Sequence, residues 1–303
     1  MELWQLRQRQ SLPLEVKVQM SLLRIRQWYE AMDGDVYVSF SGGKDSTVLL
    51  HLVRSVYPYV PAVFVDTGLE YPEIRDFVKI VDNVIWLKPK MHFKDVIDKY
   101  GYPIISKEVS ETIDQCRKGY KSRFKKIDPN YKGKFGCQNW AFLMDAPFKI
   151  SNLCCNTMKK SPVKTFEKKN KLKPFIGTMA NESALRRTSW QKHGCNGFNA
   201  ARPISQPLSF WKEHDIWDYI KSRKLSYASI YDMGVKRTGC MFCMFGVHRE
   251  SYPNRFQRMA ETHPKQYDYC INKLGCGEIL DYINVPYRPG EVKDGPNVQM
   301  CLY

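Results

Sequence analysis

Val36-Tyr37-Val38-Ser39-Phe40-Ser41-Gly42-Gly43-Lys44-Asp45-Ser46 is the stretch that decides the fold. Its first five residues are a β-branched and aromatic run, the pattern of a buried strand. Thr47 to Val53 then presents one apolar face and predicts a helix. The order is strand, glycine turn, helix. Paired glycines let the backbone turn sharply and approach a ligand closely, because no Cβ intervenes. The unpaired N–H groups that open the helix point into such a turn and can hold phosphate or sulfate oxygens. Ser41 and Ser46 add hydroxyls and Lys44 a mobile positive charge. A turn that merely joined strand to helix would need none of these polar positions.

Working outward, Leu14, Val18, Leu22, Ile25 and Tyr29 fall on one helical face before the strand. Ala62 to Asp66 predicts a second buried strand ending in Thr67-Gly68, followed by a helix over 73–81 with Pro72 at its start. Val84 to Leu87 predicts a third strand, Phe93 to Lys99 and Lys107 to Lys118 further helices, and Pro174 to Thr178 another core strand. This alternation predicts an α/β doubly wound parallel sheet, with ligands at the carboxyl ends of its strands. Both Ser41–Ser46 and Asp66–Gly68 fall at such ends. From Asn181 to Pro207 the composition is loop-like. A helix from about Trp211 to Arg223 would bury Ile216, Trp217 and Ile220. A boundary near 180 is expected, with a nucleotide-binding domain over 1–180 and a smaller C-terminal region over 181–303.

The 303 residues are 43% hydrophobic, enough for a sizeable core. No apolar run approaches a membrane span, and Met1 to Arg7 is too polar for a signal peptide. The expectation is a soluble, cytoplasmic protein with no membrane partner. The formal charge is +16, and it is concentrated. Sixteen Lys and Arg stand against Asp128, Asp145 and Glu167 between Arg117 and Lys173. Within the basic insertion at 117–140, Tyr120, Phe124, Tyr131 and Phe135 alternate with the cations. Basic residues contact phosphates while aromatics stack on unpaired bases, so nucleic acid is the expected partner. A solvated face or a flexible insertion packed on its domain would share this composition.

Ten cysteines in a long chain without a secretory signal favour metal or catalytic roles over a disulfide scaffold. Cys240-Met241-Phe242-Cys243 is a C-x-x-C pair, and Cys154-Cys155 are adjacent. Adjacent cysteines are hard to satisfy on one ion, whereas a cubane offers several iron corners. A [4Fe–4S] cluster on these four thiolates therefore fits the spacing best, with structural zinc and unliganded thiols as the alternatives.

The Ser-Gly-Gly-Lys-Asp-Ser stretch does not have Walker A spacing. It resembles the PP-loop of the ATP pyrophosphatase superfamily. Further stretches follow in order: Asp66-Thr67-Gly68 with Tyr71-Pro72-Glu73; Cys154-Cys155 with Lys159 and Pro162; and Gly177 with Glu182, Ser183 and Arg186. Trp211 with Asp215 to Ile220 comes next, then Tyr231-Asp232-Met233-Gly234 leading into Gly239-Cys240 and Cys243. Together, over roughly 35–245, they resemble the phosphoadenosine phosphosulfate reductase family, including its DNA-phosphorothioation sulfurtransferase branch. The resemblance implies ATP and Mg2+ at Ser39, Ser41, Gly42, Gly43, Lys44, Asp45, Ser46, Asp66, Thr67, Gly68, Glu182 and Ser183. Lys44, Asp45 and Arg186 take catalytic roles, and the cluster-bearing members imply [4Fe–4S] on Cys154, Cys155, Cys240 and Cys243. Two departures stand out. Assimilatory reductases carry a late Glu-Cys-Gly-Leu-His segment that does not occur in these residues, where Cys270, Cys276 and Cys301 are the late cysteines. Met179 also stands where those enzymes usually have arginine.

The leading expectation is thus an ATP-dependent sulfurtransferase that adenylates and thiolates a nucleic acid, with a cysteine desulfurase as sulfur donor. A sulfonucleotide reductase releasing sulfite is the first alternative. A nucleic-acid-binding ATPase component of a modification or defence complex is the second.

Overall fold

The computed structural model describes residues 1–292, so Cys301 lies outside the described residues. Eight strands occur among them. They are β1 (Val36–Ser39), β2 (Ala62–Val65), β3 (Val84–Leu87), β4 (Ile104–Ile105), β5 (Lys173–Ile176), β6 (Asn196–Gly197), β7 (Ile204–Ser205) and β8 (Met244–Phe245). Two compact units share them. Residues 1–66, 70–88 and 162–238 form the first; residues 67–69, 89–161 and the chain from Gly239 onward form the second. This division differs from the boundary expected near 180. The chain leaves the first unit after β3 and returns to it as β5, a long-range pairing that no local composition shift marks.

The sheet of the first unit has the order β3-β2-β1-β5-β7-β6. Val38 of β1 lies opposite Ala62 of β2 on one side and Phe175 of β5 on the other, both in parallel register. Only β6 runs antiparallel, against β7. Val36, Tyr37, Val38, Ala62, Val63, Phe64 and Phe175 are all buried, which is why these strands are continuously apolar instead of alternating. From β1 the chain winds outward through β2 and β3, then re-enters on the opposite side of β1. That reversal is a topological switch point, and the crevice it opens lies at the carboxyl end of β1, where Ser41–Ser46 follows.

The Leu14–Ala31 helix buries Lys17, Val18, Ser21, Ile25 and Trp28. Its inner face is therefore rotated from the expected one, leaving Leu14, Leu22 and Tyr29 half-buried. Polar contacts account for the rotation. Lys17 Nζ donates to both carboxylate oxygens of Asp215 at 2.8 Å, and Trp211 Nε1 donates to Ser21 Oγ at 2.9 Å. Asp215 lies on the Glu213–Arg223 helix, which buries Ile216, Tyr219 and Ile220 and leaves Trp217 half-buried. The stretch expected to be loop-like holds a helix at Ala184–His193, capped by the Ser183 hydroxyl accepting from the Arg186 N–H and anchored by buried Trp190.

In the second unit β4 pairs in parallel with β8. The Lys107–Arg117 helix begins at Ser106, whose hydroxyl accepts the Val109 N–H at 3.1 Å. The basic insertion contains one helical turn, Lys121–Phe124, and several of its cations have structural duties. Arg117 donates to the carbonyls of Leu143, Met144, Ala146 and Phe148. Arg123 pairs with Glu111 at 3.3 Å and Lys126 with Glu108. Helices at Arg255–Thr262 and Cys276–Tyr282 follow. The Pro286–Pro289 segment is docked. Asn254 donates to the Pro286 carbonyl, Gln257 to those of Arg288 and Glu291, and Tyr287 is buried.

Candidate nucleotide and thiolate sites

The glycine turn is built as its sequence requires. Gly42 has φ +71°, and a Cβ there would meet Val78 Cγ2 at 2.7 Å and Ile74 Cγ2 at 2.9 Å. Only glycine combines that conformation with that space. Gly177 at the end of β5 serves differently: a Cβ would come within 3.0 Å of the Asp45 carbonyl oxygen, so its absence lets the strand approach the helix start. Ser46 Oγ donates to the Gly43 carbonyl at 2.8 Å, and Ser41 N–H donates back to Ser46 Oγ at 3.2 Å. The two serine hydroxyls lie 3.0 Å apart, tying the loop into one closed shape. Ser39 ends β1 opposite Val63 and Ile176, which fixes where the loop begins.

Lys44 opens the helix and is only 4% exposed. Its ammonium lies 3.4 Å from Asp45 and 3.5 Å from Glu213. Burial raises the Asp45 carboxyl above its usual value, and the Lys44 charge partly offsets that rise. Two residues enter here that had no role in the sequence reading. The Lys44 backbone N–H donates to the Tyr231 hydroxyl at 2.9 Å, and that hydroxyl lies 3.1 Å from Thr238 Oγ1. Tyr231 belongs to the Tyr-Asp-Met-Gly stretch, so its presence was legible but its contact was not.

Glu182, Ser183 and Arg186 come together in the first unit. Glu182 accepts the Met179 N–H at 2.8 Å and pairs with both Arg186 and Arg237. Burial and the neighbouring Arg237 lower the Arg186 guanidinium's proton affinity, while the charge of Asp45 acts in the opposite sense. Lys44, Arg186 and Arg237 thus all act on Asp45's surroundings, giving the crevice cations suited to a polyphosphate. Asp66, at the end of β2, is buried and accepts from Arg75 at 3.0 Å. Thr67 and Gly68 fall in the second unit, where the Thr67 hydroxyl accepts the Leu69 N–H.

All four candidate ligand cysteines lie in the second unit, and all are free thiols. The Cys154 and Cys155 sulfurs are 3.9 Å apart, far beyond a disulfide bond. Cys154 donates to Cys155, which holds the Cys155 thiol down to about 6; Lys107, Lys159 and Lys160 favour its thiolate further. The same hydrogen bond and burial push the Cys154 thiol up, with added repulsion from Cys155, Cys243 and Cys240. Burial also raises Cys243, against the pull of Arg255 and Lys159. Cys154 thus lies within the fields of Cys155, Cys240 and Cys243, soft sulfurs of the kind that ligate iron. Among the described residues no group of three or more His, Cys, Asp or Glu side chains is placed to hold a metal.

Residues 35–103 and 80–245 match the phosphoadenosine phosphosulfate reductase domain. The chain belongs to that family. An uncharacterized protein of Methanocaldococcus jannaschii is 26% identical over 262 residues, 84% of this chain. The chain spans about half the length of that relative, 52%. The adenosine 5′-phosphosulfate reductase of Staphylococcus epidermidis is 25% identical over 246 residues, covering 78% of this chain and 83% of that one. Among solved structures, the phosphoadenylyl-sulfate reductase of Candida auris in its phosphate complex covers 76% of this chain and 96% of its own. It shares 16% identity at a TM-score of 0.44. The named relatives among these are enzymes. No helix among the described residues is long and apolar enough to cross a membrane.

Proposed function

We propose that the chain is an ATP-dependent sulfurtransferase that thiolates a nucleic acid. The observation that carries this reading is the contrast between its cysteines. Cys155 is partly exposed, flanked by lysines and held toward its thiolate. Cys270 and Cys276, the late cysteines among the described residues, are 0% exposed, and burial pushes the Cys270 thiol up. That burial works against either of them attacking a sulfonucleotide.

ATP is read on the Ser41–Ser46 turn, its phosphates on the helix-opening N–H groups with Mg2+ entering alongside. Lys44 and Arg186 stabilise the charge that grows on the phosphates during transfer. An acceptor oxygen attacks the α-phosphorus; the bond to the β-phosphate oxygen breaks and pyrophosphate leaves. The terminal sulfur of a persulfide, delivered from cysteine by a desulfurase, then attacks the carbon bearing that oxygen and AMP leaves with it; a thiol reductant supplies the two electrons that cleave the remaining S–S bond and free the thiolated product. Ser39, Asp66, Glu182 and Ser183 are the remaining nucleotide-binding positions in the first unit. A [4Fe–4S] cluster would be held by Cys154, Cys155, Cys240 and Cys243 and would supply thiolate-ligated iron with affinity for sulfur. Pyrophosphate release from ATP by anaerobically purified protein tests the scheme. Lys44→Ala should slow release about 100- to 1000-fold; an unchanged rate would refute it.

The Staphylococcus epidermidis relative favours a second reading, reduction of a sulfonucleotide with release of sulfite. Sulfite formed from adenosine phosphosulfate, and lost on mutating a late cysteine, would support that reading.

A further inference from the structure

The second unit holds a cavity of about 560 Å³, within the range of small-ligand sites. Its wall brings together the start of the Lys107–Arg117 helix, the end of the basic insertion and the turn after β8. Two of its cations, Lys107 and Arg249, have no carboxylate partner among the described residues. Glu108, the one acidic lining residue, is already matched by Lys126 and by Arg123 at 3.9 Å. The cavity is therefore net positive.

Aromatic side chains complete it. Phe135 is 61% exposed, and Trp140 stands edge-on to His248 with 5.2 Å between ring centroids. The backbone is also unusual here. Ile105 and Phe135 have φ of +60° and +63°, a left-handed conformation that bulky side chains adopt only at a cost. Every other described non-glycine residue with positive φ is an Asp, Asn or Lys. Strain in large apolar residues is thus confined, among the described residues, to this one wall. Gln138 donates to the Tyr131 carbonyl, and the Cys137 N–H donates to that of Lys126, so the Phe135 loop is held in place.

We propose that this cavity receives one unpaired nucleobase of the acceptor strand, with Phe135 and Trp140 as stacking faces and Lys107 and Arg249 on the flanking phosphates; this rests on the nucleic-acid reading above. An aromatic face accepts any base, but only one outside a duplex presents its own face. Lys121, Lys125, Lys132 and Lys134 of the insertion are exposed and form no ion pair among the described residues, so they extend the positive field along which a strand would approach. Lys107 belongs both to this wall and to the cationic surroundings of Cys155.

Fluorescence anisotropy of a short labelled single strand, as RNA and as DNA, tests this on the full chain, with the same sequence as duplex and AMP as competitor. Phe135→Ala and Trp140→Ala should each weaken single-strand binding about 5- to 100-fold, and Trp140→Phe should restore most of it. Phe135 is exposed, so its truncation does not threaten the fold. Equal binding by the wild type and both alanine variants overturns the proposal while leaving a nucleic-acid acceptor standing. AMP binding that depends on Trp140, with no binding of any strand, overturns the proposal and the acceptor class together.

Discussion

The Lys44 backbone N–H donates to the Tyr231 hydroxyl at 2.9 Å. A phenol thus takes one of the donors that the Lys44–Arg54 helix offers at its start, where a phosphate oxygen is expected. Tyr231→Phe should lower stability by about 1 kcal/mol, since it removes the acceptor for that N–H and a partner of Thr238. Added ATP competes for the same donor, so the gap in Tm between wild type and variant should narrow as ATP rises. A gap that stays constant would show that the nucleotide does not use this N–H.

Lys17 and Asp215 form a buried pair, with side chains only 1% and 4% exposed. Removing one partner strands a charge away from water. Asp215→Ala should cost about 3–5 kcal/mol by denaturant unfolding, whereas replacing both with apolar residues of similar size should recover most of the loss. An Asp215→Ala loss below about 1 kcal/mol would indicate an exposed-type pair.

The Cys155 thiol is lowered by the Cys154 hydrogen bond and by Lys107, Lys159 and Lys160. At neutral pH it is therefore thiolate, and acidification through about pH 6 protonates it. Iodoacetamide labelling of the metal-free protein, read by mass spectrometry, should be fastest at Cys155 and fall as pH drops through that point. Lys107→Ala removes a charge that favours the thiolate, so it should move the midpoint upward. Labelling that rises only near pH 9 would contradict the assignment.

Much of the fold was legible because short apolar runs between helical patterns announce parallel strands. Val36–Phe40, Ala62–Val65 and Val84–Leu87 are short apolar runs separated by helical patterns, and each is a strand or nearly so. The turn was legible for a similar reason, since Gly42 fits where no side chain does. What escaped notice depends on contacts across the chain. A lysine looks like a surface residue until Asp215 is placed against it, so the buried face of the Leu14–Ala31 helix was misjudged. The Ala184–His193 helix is polar apart from Trp190, and tertiary anchoring, not periodicity, makes it helical. The return of residues 162–238 to the first unit rests on β5 beside β1, which leaves no trace in local composition. In the candidate site the sequence names the loop residues, the four cysteines and the stretch that holds Tyr231, while the contact of Tyr231 and the presence of Thr238 and Glu213 are recognisable only from where they sit.

Nucleoside mass spectrometry after a complete reaction tests the central claim most directly. Anaerobically reconstituted protein is incubated with ATP, cysteine, a cysteine desulfurase, a thiol reductant and nucleic acid, and the digested product is searched for added sulfur. The account predicts a thiolated nucleoside that disappears without ATP and with Lys44→Ala. Unmodified nucleic acid, together with sulfite released from adenosine phosphosulfate by the same preparation and thioredoxin, would contradict it.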